Sequence, residues 1–209
     1  LTTKNYQFVD TDVIFQKNPS DVLKNKEGFI TSCGHWHNPN HSITKHSEEL
    51  FKQKSTTWQM LTFNSGQFAC DRALFSSFEL IKLAESKKYK ETLMHCPVDQ
   101  PAINLFVLLS GIKISNLTLP PTLMQSTWSG DYPNEFKNFW QTENETPYLI
   151  HWAGNTSKVD REIDQLFIQY LSKDEIAEVR FKINGKKKSL NFEQYFKKKA
   201  KILSKVFTL

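Results

Sequence analysis

The 209-residue sequence predicts an α/β domain, and three observations carry that prediction. Short apolar runs of strand character alternate with helical segments along most of the chain. One of those runs, Val9 to Phe15, holds two aspartates where a buried strand normally excludes them. A hydrophobic content of 39% with 16 Phe supplies enough material for a sizeable core.

Taken in order, Val9, Val13, Ile14 and Phe15 read as a buried parallel-sheet strand. Asp10 and Asp12, two residues apart, then project to one side, where both can face a single hard cation such as Mg²⁺ or Mn²⁺. The alternative is a strand that runs into a turn, with Asn18-Pro19-Ser20-Asp21 capping the next element. A short polar helix or turn is expected over Asp21 to Glu27, and a second strand over Phe29 to Ser32. Gly34 to Gln53 is polar and rich in histidine, which predicts a long surface excursion. Leu61-Thr62-Phe63 and Gln67-Phe68-Ala69-Cys70 form a strand interrupted at Gly66, the mark of a bulge or of close approach to a ligand. A helix is expected from Asp71 to about Lys88 on Phe75, Phe78, Leu80, Ile81 and Leu83. Another opens at Pro97-Val98-Asp99-Gln100-Pro101, with Asp99 as cap and Pro101 in its first turn. The longest apolar stretch, Ala102 to Leu109, suits a buried helix and is too short for a membrane span. Leu117 to Leu123 reads as extended and broken by proline, Tyr148 to Trp152 as a strand, and Val159 to Leu171 as helix.

The net charge of +5 concentrates at the C-terminus, in Lys186-Lys187-Lys188, Lys197-Lys198-Lys199, Lys201 and Lys205. Phe192, Tyr195, Phe196, Ile202, Leu203, Val206 and Phe207 fall at helical spacing between these lysines. Such an amphipathic helix either docks its stripe on the domain or lies on an anionic membrane surface. No motif beyond charge points to nucleic acid. Cys33, Cys70 and Cys96 are odd in number, scattered and without a Cys-x-x-Cys pair, as in a reduced, cytoplasmic protein. In that setting the N-x-S/T sequons at Asn40, Asn116, Asn144 and Asn155 are chance.

His151 ends the apolar run Tyr148-Leu149-Ile150-His151, which is where open α/β sheets bind ligands. With Asp10 and Asp12 it completes an oxygen–oxygen–imidazole set suited to Mn²⁺ or Mg²⁺. Cys33-Gly34-His35-Trp36-His37 with His41 invites a zinc reading, but its spacing matches no structural zinc module, and an acceptor loop or a solvated turn fits better. Trp36 and Trp128 stand in polar surroundings and suit either sugar stacking or partial core burial.

Four motifs in this order resemble the catalytic half of GT-A glycosyltransferases with an Asp-x-Asp motif, above all glycosyltransferase family 8 and its relatives. They are Val9-Asp10-Thr11-Asp12, Phe63-Asn64-Ser65-Gly66, Asp99-Gln100-Pro101-Ala102-Ile103-Asn104 and His151-Trp152-Ala153-Gly154. The resemblance implies a mixed sheet flanked by helices, over a catalytic part at 1–175 followed by a basic extension at 176–209. It implies a metal-dependent, retaining transfer from a nucleotide-diphosphate sugar, favouring UDP-sugars, to a carbohydrate or lipid-linked acceptor. Asp10, Asp12 and His151 would hold the metal; Asn64, Ser65 and Gly66 would line the acceptor and donor-sugar side. Asp99 and Gln100 would flank the anomeric carbon, and Gly154 and Lys158 would serve the diphosphate. A non-catalytic relative that only binds a glycan or nucleotide is the alternative. Two departures stand out. Family 8 continues after His-x-x-Gly with lysine, proline and tryptophan, whereas Asn155-Thr156-Ser157-Lys158 stands in that place here. The nucleotide-binding βαβ units that precede the Asp-x-Asp strand are expected to be missing from this sequence, which leaves base contacts unplaced.

Overall fold

The computed structural model describes residues 1–94, 99–133, 135–152 and 161–181. It divides the chain into two compact units, residues 1–153 and 154–209. The basic C-terminal stripe, Gly154, Lys158, Cys96 and Asn155 lie outside the described residues.

The first unit is a mixed α/β structure with two sheets. β1 (Tyr6–Val9), β4 (Gln67–Cys70), β3 (Phe29–Thr31) and β5 (Ile114–Asn116) lie side by side in that order. β4 runs antiparallel to both β1 and β3, while β3 and β5 are parallel. A second sheet pairs β2 (Val13–Phe15) antiparallel with β6 (Leu149–His151), matching Val13 to His151 and Phe15 to Leu149. The single parallel strand expected over Val9 to Phe15 is therefore two strands in two sheets, each in an antiparallel pair. Carboxylates do not sit in a buried ladder without a large cost, so the ladder stops on either side of Asp10 and Asp12.

Every residue of β3 and β4 is buried, and their alternating side chains build two core layers. Phe29, Phe68 and Cys70 join Cys33, Phe63 and Val107 in one cluster. Ile30 and Ala69 join Leu117, Met124, Tyr148 and Leu149 in the other. Within the first, the Phe29 ring lies 5.0 Å from Phe68 and 4.9 Å from Phe63.

Local signals set the helices. α1 (Pro19–Leu23) is capped by the Asn18 side chain and starts two residues before the predicted element. α2 (Lys45–Lys54) starts at a Thr44–Ser47 capping box. With the single turns Gly34–His37 and Pro39–His41 it fills the predicted surface excursion, and it buries His35, Ser42, Ile43, Ser47 and Phe51. α3 (Ser77–Ala84) starts at a Ser76–Glu79 capping box rather than at Asp71. Asp71 is otherwise engaged: it accepts from Gly28 N at 2.9 Å and pairs with Arg72 at 2.6 Å. Phe78 and Ile81 of α3 are 68% and 56% exposed, so that apolar spacing does not mark core. The short α4 (Lys90–Leu93) comes next. α5 (Gln100–Ser110) has Pro101 in its first turn and ends at Gly111, whose φ of 69° suits glycine. Asp99 precedes it without a side-chain capping bond, contrary to expectation. After β5 the chain makes turns rather than extending, through a cis Pro120–Pro121 peptide.

In the second unit, the predicted helix over Val159 to Leu171 resolves, from Arg161 onward, into a turn at Glu162–Asp164 and α6 (Gln165–Ile168). Arg161 pairs with the buried Asp164 at 2.6 Å, and residues 173–181 are helical.

Candidate metal and donor site

The chain leaves β1 at Val9 and enters β2 at Val13, so Asp10-Thr11-Asp12 bridges the two sheets. Backbone hydrogen bonds fix both ends of this bridge: Asp10 N donates to Gly66 O at 2.8 Å, and Trp152 N donates to Asp12 O at 3.0 Å. The Val13–His151 register then brings the last residue of β6 level with the bridge. His151 is anchored from below, where its N–H donates to Thr127 O at 2.8 Å.

Three ligand atoms converge here. His151 Nε2 lies 3.1 Å from Asp12 Oδ1 and 3.4 Å from Asp10 Oδ2. One ligand atom from each of the three residues lies within 4.8 Å of the others, the one such cluster among the described residues. His151 is 1% exposed, whereas the two carboxylates are roughly half open to solvent. His151 Nε2 is buried, and neither carboxylate approach has hydrogen-bond geometry. Burial raises the Asp10 pKa; the His151 imidazole opposes that shift, and the Asp12 and Asp99 carboxylates add to it. Two hard oxygens and an imidazole nitrogen, crowded by like charge and open on one side, fit a divalent cation such as Mn²⁺ or Mg²⁺.

Gly66 forms the wall of this cluster. A Cβ there would come within 2.6 Å of both Asp10 Oδ2 and His151 Nε2. Close approach is thus why a glycine interrupts the apolar run before β4. The turn that carries it is held on every side. Asn64 Oδ1 accepts from Gly66 N at 2.8 Å, and Asn64 N donates to Cys33 Sγ at 3.1 Å. Ser65 N donates to Gln100 Oε1 at 3.0 Å. The other end of that amide, Gln100 Nε2, donates to His41 O at 2.6 Å. One helical turn along α5, the fully buried Asn104 accepts from Phe63 N at 3.0 Å and donates to Phe63 O at 2.8 Å.

The structure brings Asp10, Asp12, His151 and Gly66 into one cluster, with Asn64 and Ser65 in the adjoining turn and Gln100 bracing it. Asp99 is exposed and close enough for its charge to act on Asp10. Sequence reasoning gave Asn104 no role of its own; the available signal was a second polar residue four positions after Gln100 in an otherwise apolar helix. The buried Cys33 sulfur accepts the Asn64 N–H, burial raises its thiol pKa, and it belongs to no cluster of three ligand atoms among the described residues.

The model of the nucleotide-diphospho-sugar transferase family matches residues 2–164. No curated protein and no solved structure matches the chain. A mixed sheet flanked by helices, with paired aspartates and a histidine gathered at one sheet junction, accords with that match, and the chain belongs to the nucleotide-diphospho-sugar transferase family.

Proposed function

We propose that this protein is a metal-dependent glycosyltransferase, related to family 8. It would move a sugar from a nucleotide-diphosphate donor, UDP-sugars being favoured, to a carbohydrate or lipid-linked acceptor with retention at the anomeric carbon. The observation that carries this reading is the convergence of Asp10, Asp12 and the buried His151 nitrogen on one point. A divalent cation bound there neutralises charge on a diphosphate leaving group. Asp10, Asp12 and His151 would hold that cation, and Gly66, whose missing Cβ lets Asp10 and His151 approach, lines the donor-sugar side. Asp99 supplies negative charge beside an oxocarbenium-like centre. Gln100 orients the Ser65 turn against the donor sugar, with Asn64 and Ser65 lining that side. Gly154 and Lys158 serve the diphosphate. The unpaired cysteines agree with a cytoplasmic location; Cys33 and Cys70 are free and buried. The basic extension would add peripheral membrane contact, and no helix among the described residues is long and apolar enough to cross a membrane.

The departure from the family 8 pattern after Gly154 favours a second reading, a module that binds glycan or nucleotide without turnover. Purified protein incubated with Mn²⁺ and a panel of UDP- and GDP-sugars separates the two. Slow donor hydrolysis that EDTA abolishes and Asp12→Ala removes supports the enzyme; donor binding without hydrolysis supports the module; and a total lack of donor binding defeats the enzyme.

A further inference from the structure

Beside the metal cluster stands a group of side chains that the donor reading leaves unused. His35 is 6% exposed, and its Nδ1 is buried without a hydrogen-bond partner among the described residues. The Trp128 indole packs against it at 4.7 Å and 60°, and the His41 ring lies at 6.3 Å. Trp128 is the β-bridge partner of His151, which sets its backbone beside that residue of the cluster. Gly130 lies against the benzo ring of that indole so closely that any Cβ would collide with it. The same Gln100 amide that braces Ser65 also holds the His41 carbonyl, tying this wall to the donor side.

A buried polar atom without a partner costs about 1–3 kcal/mol, so the site gains from a ligand that supplies one. The chemistry narrows what that ligand is. A second metal is disfavoured, since His35 and His41 belong to no cluster of three ligand atoms among the described residues. An anion is disfavoured by Asp10 and Asp12 beside His151 and by the Asp131 carboxylate, whose charge couples to His41. A neutral hydroxyl both donates and accepts, so it satisfies an imidazole nitrogen in either tautomer. A half-buried indole next to that nitrogen offers apolar area to a C–H face. Hydroxyls and a C–H face together describe a saccharide ring.

We propose that His35, His41 and Trp128 line a subsite for the sugar ring of a neutral saccharide acceptor. This rests on the donor reading, and the test keeps the two apart. With ¹⁵N-labelled indoles, the chain's five tryptophans report individually, and Trp128→Phe assigns the signal of Trp128. The sample is titrated with UDP and Mn²⁺, then with the methyl glycosides of glucose, galactose, mannose and xylose, and separately with UDP-glucose and UDP-galactose. A saturable shift of the Trp128 signal with a free glycoside is the expected result. His35→Phe keeps the ring volume and deletes the unpartnered nitrogen, so it should raise Tm and weaken that glycoside by about tenfold or more. No Trp128 response to any glycoside, or unchanged glycoside affinity in a stable His35→Phe protein, overturns the subsite. A response to UDP-sugars alone also overturns it, assigning the wall to the donor's own sugar. Glycoside shifts without UDP–Mn²⁺ binding sink the donor reading and leave a saccharide site standing.

Discussion

A single hydrogen atom at Gly66 decides whether the Asp10–Asp12–His151 cluster can close. Gly66→Ala places a methyl group within 2.6 Å of a carboxylate oxygen and the ligating nitrogen, and the flanking backbone is pinned. The expected outcome is loss of Mn²⁺ binding by isothermal titration calorimetry, with the far-UV circular dichroism spectrum retained. Asp71 tests a structural role at the same scale. Its bonds to Arg72 and to Gly28 N hold its pKa down to about 2, below the ordinary carboxylate value of 3.8. A depressed carboxylate contributes stability above its unfolded pKa and loses it as pH falls toward the folded one. Asp71→Asn should therefore melt below wild type at pH 7, and the gap should close between about pH 4 and pH 2 in thermal melts. The clustered residues Asp10, Asp12 and His151 were legible in the sequence because paired aspartates and a strand-end histidine are chemically out of place in apolar runs. The contact between His35 and Trp128 was not, because Trp128 lies far along the chain and approaches only in the fold.

At the scale of elements, α5 works as a clip, and its two polar residues separate stability from function. Asn104→Ala strands a buried N–H and a buried carbonyl of Phe63, which should cost roughly 2–5 kcal/mol in urea unfolding. Gln100→Ala frees the Ser65 and His41 backbone near the surface. Its expected signature is turnover reduced by an order of magnitude or more at near-native Tm, because the lost restraint acts mainly on the reacting geometry. Unchanged turnover would return Gln100 to a purely structural role. β3, β6 and the body of α5 were readable as continuous apolar runs. The break between β1 and β2 was not: apolar residues flank the aspartates on both sides, and only the partner strands show that two sheets meet there. The start of α3 was missed for a similar reason, since Asp71 and Ser76 are both good caps and the Gly28 contact that engages Asp71 is non-local.

For the whole molecule, charge is the property that the described fold uses least. The net +5 lies mainly in the C-terminal lysines, each worth on the order of 1 kcal/mol near an anionic lipid surface. Full-length protein should therefore sediment with vesicles containing phosphatidylserine, and release as salt rises. A truncation after Asn184 should stay in the supernatant; binding that survives the truncation would mean the attachment lies elsewhere.

The crossing from β1 to β2 has a mechanical consequence. Asp10 and Asp12 stand at the crossing between a four-stranded and a two-stranded sheet, and without a cation that crossing holds mutually repelling carboxylates. Donor binding would then lock a joint as well as fill a pocket. Amide hydrogen exchange can read this directly: the N–H groups of Asp10 and Trp152, which seal the two ends of the crossing, should slow on adding Mn²⁺ and UDP. The amides of β3 and β4, deep in the larger sheet, should keep their rates. The buried core that Ile30 and Ala69 share with Tyr148 and Leu149 holds the two sheets together in either state, so the stiffening would be confined to the crossing itself.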